Sequence, residues 1–231
     1  MLSELTTPGA HRRDTWVVIA AFNEHSVIRE VASAVADDGW SVVVVDDGSR
    51  DDTAQAARVP GVVVLRHAIN LGQGAALQTG IDYALRRGAR NIVTFDADGQ
   101  HAREDIPALV GALADAEIAL GSRFLGSVEG ARRRRMLLLR LAVLVSNRLS
   151  GMQLTDAHCG LRAFRAEVAP RLRITQDRMA HASQLLRKIK EAKLRLVEVP
   201  VTVRYTAHSI QNGQHGLQAI RILFDYFFRP T

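Results

Sequence analysis

Four short apolar runs, each followed by a stretch of helical period, constrain this chain more than any other feature. They are Trp16-Val17-Val18-Ile19-Ala20, Val42 to Val45, Val62 to Leu65 and Ile92 to Phe95. The runs are continuous rather than alternating, so they read as strands covered on both faces. Helical patterns fall between and after them, over Glu24 to Ala36, Gly72 to Arg87 and Glu104 to Ala114, with Ile118-Ala119-Leu120 as a fifth short strand. Ser49 is placed to cap a further helix, with Asp51 and Asp52 in its first turn. Strand and helix alternating in this way define an α/β class: a mostly parallel, Rossmann-like sheet flanked by helices. The chain's 231 residues and 47% hydrophobic content support one domain over 1–231.

After residue 122 the rhythm breaks into a helical and strand elaboration. Arg132 to Leu149 reads as a basic amphipathic helix, Leu161 to Phe164 as a strand and Met179 to Lys193 as a helix. Leu196 to Val203 reads as a strand and Gly216 to Phe228 as a final amphipathic helix.

The ends of the strands carry acids. Strand one runs into Asn23-Glu24, strand two into Asp46-Asp47-Gly48-Ser49, and strand four into Asp96-Ala97-Asp98. In open parallel sheets ligands bind beyond the carboxyl ends of the strands. Carboxylates crowded at one rim repel one another and resist ionisation. A divalent cation resolves this, and hard oxygen donors suit Mg²⁺ or Mn²⁺ shared with substrate phosphates. Either Asp-Asp-Gly-Ser or Asp-x-Asp alone is an ordinary turn; both at the ends of strands in one sheet favour a nucleotide diphosphate held through a metal. Gly72-Gln73-Gly74 opens a helix as a dinucleotide fingerprint does, but it follows the third strand and Leu77 stands where a third glycine is needed. Gly74 therefore reads as close packing near the ligand.

The ordered set "FNE", "VVVVDDGSRDDT", "NLGQGAALQTG", "TFDADGQH", "GSRF", "TDAHCGLRAF" and "VEVPVTVRY" resembles family-2 glycosyltransferases. The resemblance covers about Trp16 to Arg229. It is strongest toward the branch of dolichyl- and polyprenyl-phosphate sugar synthases without transmembrane helices. It implies a GT-A fold, a nucleotide-sugar donor, a divalent cation (Mg²⁺ or Mn²⁺) and inversion at the anomeric carbon. It divides the chain into a nucleotide-sugar-binding half, 16–122, and an acceptor-side half, 123–231. It places Phe22, Glu24, Asp46, Asp47, Gly74, Asp96 and Ala97 around the nucleotide sugar, and Asp96, Asp98 and Gln100 on the metal and diphosphate. Arg123, Asp156 and Arg162 become the catalytic candidates, with Asp156 activating a hydroxyl acceptor and the arginines serving a phosphate acceptor. Without the resemblance, Arg162 reads equally as an ion-pair partner of Asp156, and Arg123 as a surface charge. A non-catalytic nucleotide-sugar-binding or membrane-scaffolding homologue is the alternative.

The chain departs from its relatives at Ala20-Ala21, at Gln184 where a glutamate is common, and at Asn212 where a lysine is common. Gln184 is either a lost base or a core-facing helix residue. His101 and His158 read as hydrogen-bonded side chains, and Cys159, the one cysteine, as a buried thiol in a reducing compartment.

The net charge of +6 suggests an anionic partner. With 5% aromatic residues there is no stacking set for nucleic acid. The basic run Arg132 to Arg135 abuts Met136-Leu137-Leu138-Leu139 and suits the surface of an anionic membrane. No stretch reaches the roughly 20 apolar residues of a span, and no secretory signal opens the chain. The expected location is cytoplasmic, at the inner face of the membrane, with a lipid-linked or saccharide acceptor. Ile220, Leu223, Phe224, Phe227 and Phe228 would add an interfacial face, pack on the sheet or build a homo-oligomer.

Overall fold

The protein is described from a computed structural model, which covers residues 10–131, 133–176 and 180–205. Arg132, Asn212 and the final helix expected over 216–228 lie outside the described residues. The elements are α1 (Ala10–Arg13), β1 (Thr15–Ala21), α2 (Ile28–Asp37), β2 (Ser41–Asp46), α3 (Thr53–Ala56), β3 (Val62–Arg66), α4 (Gln73–Arg86) and β4 (Asn91–Asp96). They continue with α5 (Ile106–Ala112), β5 (Ile118–Glu129), α6 (Arg133–Ser150), β6 (Arg162–Arg165), α7 (Ala180–Glu191) and β7 (Leu196–Arg204). Short 3₁₀ segments precede α5, at Arg103–Asp105, and follow β6, at Ala166–Leu172.

The strands form one seven-stranded sheet in the order β3-β2-β1-β4-β6-β5-β7. Strands β3, β2, β1 and β4 pair in parallel, β6 runs antiparallel between β4 and β5, and β5 pairs in parallel with β7. The two-residue period of a strand splits the valines between two cores. Val17, Ile19, Val42 and Val44 face the side covered by α2 and α5, whereas Val18, Val43, Val45 and Ile92 face the side covered by α4 and α7. Continuous apolar runs are thus accounted for by burial on both faces.

Three local expectations are corrected. Ser49 is not a helix cap: α3 starts at Thr53, and the Ser49 hydroxyl instead accepts from the Asn23 backbone N–H at 2.9 Å. Helix α2 starts at Ile28 rather than at Glu24. The intervening turn is stitched to the loop after β2, through Asn23 in the left-handed region (φ 57) and Thr53 Oγ1 accepting from Glu24 N–H at 2.8 Å. Strand β5 does not stop at Leu120. It runs on to Glu129, because after a register shift between Ser122 and Ser127 it pairs again with Thr202, Val203 and Arg204 of β7.

Helix α6 packs against α7 and buries Val143, yet Leu137, Leu138, Leu141 and Leu144 are 51–71% exposed. It carries Arg133, Arg134, Arg135, Arg140 and Arg148 and no acidic residue. Among the described residues, no helix is long and apolar enough to cross a membrane.

Candidate active site

The carboxyl ends of β1, β2 and β4 lie side by side, since Ala21 pairs with Asp46 and Ala20 with Asp96. The sheet therefore brings Phe22, Glu24, Asp46, Asp47, Asp96 and Asp98 to one rim. Phe22 is 42% exposed there, and Ala97 is buried between the two aspartates that flank it.

The Asp46-Asp47 pair is buried and already engaged. Asp47 Oδ1 accepts from His67 Nδ1 at 2.7 Å and from Leu71 N–H at 2.9 Å, while Oδ2 accepts from Gly72 N–H at 2.8 Å. Asp46 Oδ1 accepts from Ser49 N–H at 3.1 Å, and Oδ2 lies 3.0 Å from Arg66 Nε without hydrogen-bond geometry. These two acids shape the loops that wall the rim. His67, which also meets Thr79 Oγ1 at 3.0 Å, is a member of this cluster that the sequence reading missed. No spacing signal in the chain marks it.

Asp96 and Asp98 are different. Burial raises the Asp96 pKa, but the hydrogen bond and charge of His101, joined by Arg162 and His181, outweigh it and hold the carboxyl below its ordinary range. Burial and the Asp96 charge push Asp98 up to about 6, with Glu24 adding to the repulsion. Gln100 turns its amide onto Asp98, Nε2 donating to Oδ2 at 2.6 Å and the backbone N–H to Oδ1 at 3.0 Å. Among the described residues no three His, Cys, Asp or Glu side chains close into a metal cage. The donor set is a pair of mutually repelling carboxylates, Asp98 held by Gln100 and Asp96 by His101, whose hard oxygens fit a cation that also takes phosphate ligands.

The acceptor-side candidates form a buried group beside β5 and β6. Arg123 Nε donates to Asp156 Oδ2 at 2.6 Å, and its Nη1 donates to the Tyr205 hydroxyl at 2.9 Å. Arg123 is thus no surface charge, being 8% exposed, and it, not Arg162, pairs with Asp156. Asp156 Oδ1 accepts from the His158 backbone N–H at 3.0 Å, so both carboxylate oxygens are occupied. Burial lowers the Arg123 pKa, but the Asp156 charge more than reverses this. Arg162 donates from Nε to the Cys159 carbonyl at 2.8 Å and lines a cavity of about 30 Å³ shared with Gln73, Asp96, Gly160 and His181. That volume holds about one or two waters.

Gly74 stands at the start of α4, where an added Cβ would overlap the Gln176 carbonyl oxygen. Close packing is its visible role. Gln184 is buried and holds the same segment: Oε1 accepts from Thr175 and Gln176 N–H at 2.9 and 3.1 Å, and Nε2 donates to Thr175 Oγ1 at 2.6 Å. It is the core-facing helix residue of the two expectations. His101 lies 2.9 Å from Asp96, and His158 lies 3.0 Å from Ser146 Oγ, both hydrogen-bonded as expected. Burial pushes the Cys159 thiol up to about 12, so it stays protonated at neutral pH.

A mostly parallel sheet whose rim presents paired aspartates, extended by an antiparallel strand and a helical second half, defines a glycosyltransferase of the GT-A fold. The chain belongs to glycosyl transferase family 2, whose profile matches residues 16–173. It is 29% identical over 90% of its length to the UDP-N-acetylglucosamine–dolichyl-phosphate N-acetylglucosaminyltransferase of Methanococcus voltae, covering 93% of that protein. It is 34% identical over 81% of its length to the polyprenol monophosphomannose synthase of Mycolicibacterium smegmatis, covering 76% of that protein. Its fold resembles that of glucosyl-3-phosphoglycerate synthase from Mycobacterium tuberculosis in complex with Mn²⁺, UDP-glucose and phosphoglyceric acid. The TM-score is 0.68 at 21% identity, over 96% of this chain and 83% of that one.

Proposed function

We propose that this glycosyltransferase moves a sugar, with inversion, from a nucleotide-diphosphate donor to the phosphate of a membrane lipid, in the synthesis of cell-envelope glycolipid or polysaccharide. The observation that carries this reading is the engagement of Asp156. Its carboxylate is buried and paired with Arg123, so it serves as an anchor for that arginine and not as a free base. A hydroxyl acceptor needs a base to take its proton, whereas a lipid monophosphate arrives as an anion. Two buried arginines, Arg123 and Arg162, suit that anion. The similarity to a dolichyl-phosphate N-acetylglucosaminyltransferase and to a polyprenol monophosphomannose synthase supports the same class of acceptor.

In this reading residues 16–122 hold the donor and 123–231 the acceptor. Phe22 and Glu24 meet the nucleoside, with Asp46 and Asp47 shaping the loops around it. Asp96, Asp98 and Gln100 would hold Mg²⁺ or Mn²⁺, which would neutralise charge on the diphosphate. An acceptor phosphate oxygen forms the new bond to the anomeric carbon as the bond to the diphosphate breaks. The electron pair leaves with the nucleoside diphosphate. Arg162 and Arg123 orient the incoming phosphate.

Helix α6 supplies the membrane contact. Its exposed leucines and its arginines, with no acid on the helix itself, suit the headgroup region of an anionic leaflet, where each cation near the surface contributes about 1 kcal/mol. The protein thereby works at the cytoplasmic face of the membrane.

The test is transfer from a panel of UDP- and GDP-sugars, with Mn²⁺ or with EDTA, to undecaprenyl phosphate, to undecaprenol and to free saccharides. Metal-dependent transfer to the lipid phosphate alone is expected. Transfer to a saccharide hydroxyl in preference would overturn the acceptor assignment. Donor binding with neither transfer nor hydrolysis would make the chain a non-catalytic binder.

A further inference from the structure

Asp96 ends β4 with its side chain about one-third exposed, and two neighbours confine it from different loops. His101 Nε2 lies 2.9 Å from Asp96 Oδ2. An ionised carboxylate only accepts, so this ring nitrogen carries the proton. The imidazole is itself fixed. Its side chain is 3% exposed, its edge meets Phe95 with ring centroids 5.6 Å apart, and its backbone bridges Val203 on β7. Its other nitrogen, Nδ1, is buried with no hydrogen-bond partner among the described residues. An unpaired buried polar atom costs stability. A phenylalanine would fill the same space without that cost, so packing does not explain a histidine here.

Gly160 confines the same carboxylate from the loop before β6. A Cβ on Gly160 would overlap Asp96 Oδ2 and lie 2.5 Å from Oδ1. The Gly160 backbone is outside the left-handed region, so only space demands a glycine. The loop is tied in place, because Thr94 Oγ1 on β4 donates to the Gly160 carbonyl at 2.8 Å. Among the described residues Asp96 Oδ1 is left with one longer contact, from Gln73 Nε2 at 3.3 Å.

We propose that His101 and Gly160 are positioning residues for Asp96. His101 fixes Oδ2 by its hydrogen bond, and Gly160, by having no side chain, leaves the carboxylate room to stay there with Oδ1 available. Through them the loop before β6 and strand β7 act on the donor rim. This deepens the reading of Asp96 and Asp98 as the metal and diphosphate site and rests on it for its functional consequence.

Two measurements on the full chain test this. The first is binding of Mn²⁺ in the presence of UDP or GDP, read from the electron paramagnetic resonance signal of free Mn²⁺. His101→Phe and Gly160→Ala should each weaken it roughly 10- to 100-fold, the usual effect of removing an outer-shell partner. His101→Gln, whose amide can donate from the same place, should restore most of it. Unchanged affinity in His101→Phe, or equal loss in His101→Gln, would overturn the proposal. The second is thermal unfolding in EDTA, for His101→Phe and Gly160→Ala in the wild-type and Asp96→Ala backgrounds. Contact predicts shifts that are not additive with Asp96→Ala. Additive shifts would overturn the proposal without reference to any ligand. If wild type binds no Mn²⁺ with either nucleotide, the metal reading falls, and the unfolding cycles still decide the positioning.

Discussion

Arg123 Nε donates to Asp156 Oδ2 at 2.6 Å with both side chains at least nine-tenths buried, so the acid most available in the sequence for a base is engaged by a cation. Removing one partner of a buried pair leaves the other charge uncompensated. Asp156→Ala should lower stability by about 3–5 kcal/mol in urea unfolding. Asp156→Asn should lose less, because it keeps shape and one acceptor. If wild type transfers to a hydroxyl acceptor and Asp156→Asn, unfolding like wild type and binding donor normally, does not, Asp156 is a base after all.

Asp98→Asn should abolish metal-dependent donor binding while the fold persists. Burial and the Asp96 charge already oppose ionisation of Asp98, so its neutralisation relieves repulsion. In EDTA the variant should therefore melt no lower than wild type. With Mn²⁺ and nucleotide at a hundred times the wild-type dissociation constant, wild type should gain about 2.7 kcal/mol and the variant nothing. Calorimetry showing equal Mn²⁺-dependent affinity in both proteins would remove Asp98 from the metal site.

Gln184→Ala should destabilise the protein by about 1–3 kcal/mol, since it strips the acceptor from the Thr175 and Gln176 N–H groups. Gln184→Glu keeps that acceptor, and its second oxygen can accept from the Thr175 hydroxyl. Its denaturation midpoint should stay close to that of wild type, and turnover should change little. A large rise in turnover in Gln184→Glu would mean that an acid at this position takes part in the reaction.

The face of α6 should bind anionic vesicles in a salt-sensitive way. Arg135 stacks over the Tyr205 ring at 4.5 Å, so it belongs to the fold as much as to the surface. The informative variants are Arg133→Gln with Arg134→Gln, and Leu137→Ser with Leu141→Ser. Each pair should release the protein from phosphatidylglycerol vesicles in co-sedimentation, and the arginine pair should mimic the effect of raised salt. Wild type that ignores anionic vesicles at low salt would leave a soluble partner for this helix as the better reading.

Much of the first half was legible because its signals are local. Valine runs mark strands wherever they occur, and Asp96 and Asp98 stand out because two acids at the end of an apolar strand are costly unless a ligand needs them. The second half was harder to read. The extension of β5 past Leu120 depends on pairing with β7, some 75 residues later, and nothing in "GSRFLGSVE" declares that partner. Gln184 stays open in the sequence between a lost base and a core-facing residue, because a lone glutamine carries no record of which backbone it faces.

The sequence by itself determined the class of fold and the rim on which the acids gather, because strand period and strand-end residues are properties of neighbours along the chain. Only the tertiary structure decided how each acid is partnered. Asp46, Asp47 and Asp156 are as acidic in the sequence as Asp96 and Asp98. Packing closes His67, Arg66 and Arg123 around the first three, and leaves Asp96 and Asp98 repelling each other at the edge. The insertion of β6 between β4 and β5 likewise brings Gly160 against Asp96, 64 residues away in the chain, because burial and hydrogen bonding act through space.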